Sequence, residues 1–79
     1  MFYTYALRSL ERNYIYVGLT ENLGRRFIEH QTGKNKTTRP YRPFEIIFSE
    51  SHVSRMEARQ REKYFKSGIG KEYLKSLLK

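Results

Sequence analysis

No cysteine occurs among the 79 residues of this chain, so neither a disulfide nor a thiolate zinc site can staple the fold. The constraint is severe at this length, because folding removes only about 60% of so short a chain's unfolded surface from water. The core must therefore be built from large side chains. Seven Tyr and five Phe supply them, each ring covering a large area for its place in the chain. A single domain over residues 1–79 is expected. The absence of cysteine also fits a reducing, cytoplasmic compartment. No stretch is apolar enough to cross a bilayer, and Met1 to Tyr5 lacks the basic-then-apolar pattern of a leader, so no membrane partner is expected.

Sixteen Lys and Arg against eight acids leave a net charge of +8. On so small a domain that excess is the footprint of a polyanion binder. Charge and size alone would also permit a small RNA-binding or ribosome-associated protein. All eight acids are Glu. Nuclease sites with two metal ions usually gather several carboxylates, commonly including Asp. A single-metal site is easier to build from this composition.

Phe2 to Leu10 reads as a strand with Tyr3, Tyr5 and Leu7 on one face, and Tyr14 to Gly18 as a second strand with Tyr14, Tyr16 and Gly18 together. The polar Glu11-Arg12-Asn13 between them predicts an antiparallel hairpin. Thr20 or Asn22 can cap a helix running to about Gln31, with Gly33 where a C-terminal cap belongs and Leu19, Leu23 and Phe27 facing inward. Asn22, Arg26 and His30, spaced by four, project from a neighbouring face. Residues 33–43 form a basic loop holding both prolines. Phe44 to Glu50 predicts a third strand with Phe44, Ile46 and Phe48 on one face. Ser51 or Ser54 opens a helix through about Lys66, residues 67–70 break it, and residues 71–78 form a last short helix with Tyr73, Leu74, Leu77 and Leu78 inward. His52 has no partner pattern and is expected at the surface. The order ββαβαα predicts an α+β fold, a three-stranded antiparallel sheet flanked by helices.

The hairpin resembles the signature of the GIY-YIG nuclease family. Its first triplet aligns with Tyr3-Thr4-Tyr5, where Tyr3 and Thr4 replace Gly and Ile, and its second with Tyr16-Val17-Gly18. Ala6 to Ile15 separate them, a spacing typical of the family. The following helix resembles the family's in carrying Arg26 and, four residues on, His30. The later helix matches in Ala58, Glu62 and Lys66. The tail from Lys66 to Glu72 is similar to that of small stand-alone bacterial members. Leu19 stands where the excision-repair branch keeps a Lys.

The resemblance implies a metal-dependent endonuclease hydrolysing phosphodiester bonds in DNA, RNA not excluded, with Tyr5, Tyr16, Arg26, His30 and Glu62 as the catalytic set. Glu62 would hold one Mg²⁺ or Mn²⁺, since such a hard cation needs only one or two carboxylates besides water and substrate oxygens. Arg26 would stabilise the phosphate, its planar fork suiting that geometry. Tyr5 or Tyr16 would orient or deprotonate the water, with His30 relaying the proton or binding phosphate. In the loop, Lys34, Lys36, Arg39 and Arg42 suit a nucleic-acid backbone, and Tyr41 among them an unpaired base. Specificity in this family usually comes from appended domains, for which 79 residues leave no room. Low sequence selectivity is therefore expected, with a preference for branched, nicked or single-stranded structure. The alternative is a catalytically weak or inactive binding module of the same fold, the replaced first triplet and Leu19 being its motivation. A monomer or a weak homodimer is expected.

Overall fold

Aromatic and β-branched residues at close spacing hold the N-terminal part of the chain extended. In the computed structural model, which describes residues 1–78, they form β1 (Phe2–Ser9) and β2 (Ile15–Thr20). The two strands pair antiparallel with Tyr5 opposite Gly18 and Leu7 opposite Tyr16. Next come α1 (Leu23–Thr32), a 3-10 turn (Arg39–Tyr41), β3 (Phe44–His52), α2 (Arg55–Lys66) and α3 (Gly68–Ser76). This is the expected ββαβαα order. β3 pairs antiparallel with the other edge of β1, so the strand order is β2-β1-β3.

Helices cover both faces of this sheet, and Thr4, Tyr5, Ala6 and Leu7 of the central strand are therefore buried in succession. Tyr5, Leu7 and Phe44 form a core under α1, against which Leu23 and Phe27 pack. Ala6 and Val17 form a second core with Phe65 of α2 and Leu74 of α3. Asn22 caps α1, its side chain accepting from the Arg25 amide, and Gly33 ends the helix at φ 83°, a left-handed conformation that glycine adopts without a Cβ clash. Ser54 caps α2 by accepting from the Glu57 amide.

Three expectations need correction. Phe44, Ile46 and Phe48 do not share a face. The register slips between Ala6, opposite Phe48, and Leu7, opposite Ile46, which leaves Ile47 as an extra residue. One extra residue inverts the alternation of a strand. Phe44 accordingly joins the core of Tyr5 while Phe48 packs on that of Ala6.

The break before the last helix is one residue, not four. Ser67 donates its amide to the Tyr64 carbonyl to close α2, and its hydroxyl accepts from the Gly70 amide to open α3. A Cβ at Gly70 would collide with the backbone of Tyr64 and Phe65, so its bare Cα sets the close crossing of the two helices. Of the four residues expected inward only Leu74 is buried; Tyr73, Leu77 and Leu78 are 46%, 42% and 38% exposed, although the Tyr73 ring still meets Phe48 and Phe65.

His52 is not a surface residue. Its Nε2 lies 3.0 Å from Glu50 Oε2 and 3.3 Å from the buried Thr4 hydroxyl. Arg61 of α2 grips the same Glu50 with two hydrogen bonds, at 2.7 and 3.2 Å.

Candidate active site

The hairpin register brings Tyr5 and Tyr16 onto one face of the sheet, their ring centroids 6.2 Å apart. Gly18 sits between them. A Cβ there would lie 2.6 Å from the Tyr5 hydroxyl oxygen and 2.9 Å from the Tyr16 ring, so the position has room only for hydrogen. Helix α1 crosses this face and presents Arg26 and His30 one turn apart. His30 is fully buried, with Nε2 2.9 Å from the Tyr5 hydroxyl and Nδ1 2.8 Å from the Thr38 hydroxyl. Arg26 donates from its guanidinium to Glu29 Oε1 at 3.0 Å, a pairing that aims its side chain.

The glutamate arrives from the opposite layer. Ala58, fully buried, lets α2 lie close on β1, and the Thr4 hydroxyl donates to the Ala58 carbonyl at 2.9 Å. One turn later Glu62 reaches a cleft of about 320 Å³ that it lines together with Tyr16 and Arg26. Leu19, Glu21, Arg55 and Arg59 complete much of the wall. Among the described residues the Glu62 carboxylate has only loose ion pairs, 3.8 Å to Arg59 and 3.4 Å to Lys66. Among the described residues no group of three or more His, Asp or Glu gathers as a metal cage. A largely hydrated hard cation needs no such cage, and a weakly paired carboxylate on an open cleft fits that mode of binding.

Burial sets the protonation of the inner wall. It pushes the Tyr5 phenol up to about 12, although a hydrogen bond from Arg26 works the other way. Burial, helped by the Arg26 charge, holds His30 below its usual value. For Arg26 burial would lower the pKa, but hydrogen bonds to Tyr5 and Glu29 outweigh it and keep the guanidinium firmly charged. At neutral pH the site is thus a protonated phenol, a neutral imidazole and a fixed cation.

Tyr5, Tyr16, Arg26, His30 and Glu62 therefore meet at one place, with Tyr16, Arg26 and Glu62 on the cleft and Tyr5 and His30 behind it. The loop residues lie elsewhere. Lys34, Lys36, Arg39 and Arg42 are exposed and none lines the cleft. Arg39 is partly engaged, its Nε donating to the Gly33 carbonyl at 2.8 Å. Tyr41 stacks on Tyr14 at 3.8 Å with 9° between the rings, so one of its faces is already covered. Sequence reasoning missed Glu29, Thr38, Arg55 and Arg59. The spacing of Glu29 from Arg26, and of Arg55 and Arg59 from Glu62, could have revealed three of them.

The sheet order and the hairpin define a known class of domain: the chain matches the model of the GIY-YIG catalytic domain over residues 1–73. It belongs to this family of nucleases, which implies a nuclease-type function and a nucleic-acid substrate. Within the family it is similar to a UPF0213 protein of Oceanobacillus iheyensis, 39% identical over 61 residues that make up 76% of this chain and 70% of that one. It is 34% identical over 80 residues to a UPF0213 protein of Limosilactobacillus reuteri, covering 98% of this chain and 82% of the relative. The solution NMR structure of a UPF0213 protein from Bacillus halodurans superposes with a TM-score of 0.57 at 34% identity, over 98% of this chain and 85% of that one. Among the described residues no helix is long and apolar enough to cross a membrane.

Proposed function

We propose that this protein is an endonuclease that hydrolyses phosphodiester bonds in DNA, dependent on a single divalent metal, Mg²⁺ or Mn²⁺, held by Glu62. The observation that carries the reading is the meeting of Glu62, from one helical layer, with Tyr16 and Arg26, from the opposite face, in one cationic cleft. Hydrolysis needs an oriented water, a cation for the charge gained by the phosphate, and help for the leaving oxygen. When bound at Glu62, the metal supplies Lewis acidity to the phosphate oxygens. Arg26, held by Glu29, hydrogen-bonds a non-bridging oxygen and stabilises the added charge.

Tyr16 lines the cleft whereas Tyr5 is 1% exposed, so Tyr16 is the phenol placed to orient the water. Tyr5 and His30 form the wall behind it. The burial of His30 favours a proton-relay role over phosphate contact. Water attacks phosphorus directly, the phosphorus–oxygen bond to the leaving strand breaks, and no covalent enzyme intermediate forms. Arg55 and Arg59 flank the cleft, and Lys34, Lys36, Arg39 and Arg42 add exposed positive charge outside it. Such residues position a backbone without reading bases, which supports low sequence selectivity. The preference for branched, nicked or single-stranded DNA is part of the same proposal and is read by comparing cleavage of branched, single-stranded and duplex substrates.

The test is cleavage of labelled branched, single-stranded and duplex DNA in Mg²⁺ or EDTA by the wild type, Glu62→Ala and Arg26→Ala. Cleavage should require the metal, vanish with Glu62, and fall by about 10²–10³ in kcat with Arg26, the range for losing a donor to a developing anion. Cutting that survives EDTA or both substitutions would sink the assignment. Binding without cutting on every substrate would identify the inactive module instead.

A further inference from the structure

Thr38 is fully buried in the basic loop, between the exposed Thr37 and Arg39 and with the exposed Lys34, Lys36 and Arg42 close by along the chain. A threonine between Thr37 and Arg39 has no local reason to be inside. Its place is set by the turn it belongs to: its amide donates to Asn35 Oδ1 at 3.3 Å, and its carbonyl accepts from the Tyr41 amide at 2.9 Å. The turn drives the hydroxyl to 2.8 Å from His30 Nδ1.

We propose that Thr38 is a positioning residue that holds His30 in the Nδ1–H tautomer, leaving Nε2 as the acceptor for the Tyr5 hydroxyl proton. Two arguments reach this assignment from opposite ends of the ring. A neutral imidazole carries one N–H, so of its two contacts one donates and the other accepts. At the Thr38 end, the hydroxyl has a second partner, the Asn35 carbonyl at 3.4 Å. A carbonyl only accepts, so the threonine proton points there and its lone pair is left for Nδ1–H. At the Tyr5 end, the phenol oxygen neighbours the Arg26 guanidinium, which has donors and no acceptor. The phenol proton therefore has its partner in His30 Nε2, 2.9 Å away. Both ends require the same tautomer.

The arrangement is a directed chain from Tyr5 to His30 to Thr38 to the Asn35 backbone. Without the Thr38 hydroxyl, Nδ1–H would be buried without an acceptor. The ring would gain by moving its proton to Nε2, which would then offer the phenol a donor in place of an acceptor. A tautomer set by the partner of the other nitrogen is a general property of functional histidines. The consequence for cleavage rests on the nuclease reading above, whereas the tautomer itself does not.

The experiment is long-range ¹H–¹⁵N correlation of the imidazole nitrogens in the wild type, Thr38→Val and Thr38→Ser, with amide spectra to verify folding. The wild type should show His30 Nδ1 protonated and Nε2 bare. Thr38→Val, equal in shape but without the hydroxyl, should shift the population toward Nε2–H, and Thr38→Ser should restore the wild-type pattern. On cleaved DNA, Val should lower kcat by about 10- to 100-fold with KM unchanged, the range for a partner that orients a functional histidine, and Ser should recover it. A wild-type His30 carrying its proton on Nε2 overturns the proposal with no variant needed, as does a folded Thr38→Val with an unaltered tautomer. A wild type that never cuts DNA yet shows the tautomer and its response overturns the nuclease reading and upholds this one.

Discussion

Tyr5 and His30 share a contact sealed from water, and each responds to pH at its own end of the scale. His30 titrates lower folded than its unfolded value of 6.5. Below that value the unfolded chain binds the proton more readily, so the stability due to a neutral His30 is complete above 6.5 and declines as pH falls through the folded pKa. Tyr5 is the mirror case: raised from 10.0 to about 12, it contributes stability that is complete below 10.0 and lost as pH climbs through that interval. Melting temperatures measured across pH should therefore fall on both flanks. His30→Gln should flatten the acid flank and Tyr5→Phe the alkaline one; a flank unmoved by its substitution would remove that residue as its cause. The residues that meet at the cleft were legible because the strand triplets and the four-residue helical spacing line them up in the sequence. Thr38 was not, because nothing in Lys36-Thr37-Thr38-Arg39 says which hydroxyl a folded loop turns inward.

At the scale of elements, order and type were readable while the junctions were not. The hairpin register follows from alternating aromatics, but the extra residue at Ile47 has no sequence mark, since Phe44 to Phe48 alternates plausibly without it. The α2–α3 joint was misread because Gly68 and Gly70 look like breakers, although Gly70 lies inside a helix and serves a close crossing. That geometry carries its own prediction. Gly70→Ala improves helix propensity by up to about 1 kcal/mol but forces a methyl into the backbone of α2, and overpacking costs about 1–3 kcal/mol. The net effect should be destabilisation by chemical denaturation, with Gly68→Ala, where no atom lies within 4 Å of the added group, neutral or stabilising. Equal effects at the two glycines would mean that the crossing is not tight.

For the molecule as a whole, charge and layering act together. With sixteen basic side chains against eight acids, nucleic-acid affinity should fall linearly with salt on logarithmic axes, by about 0.9 per phosphate neutralised on duplex and 0.7 on single strands. Replacing Arg55 and Arg59, which flank the cleft, by Gln should reduce the slope by roughly 2 if each meets one phosphate; an unchanged slope would place the bound strand elsewhere. The layers themselves hang on β1, whose neighbouring residues Tyr5 and Ala6 anchor different cores. Neither helical layer can lift away without wetting the strand on which the other depends. Amide exchange at Tyr5 and Ala6 should then proceed only through complete opening, at the global free energy of unfolding, and faster exchange there would reveal a partly opened form. A protease should then reach the strands of the sheet only after the whole fold has unravelled, however readily it nicks the exposed basic loop.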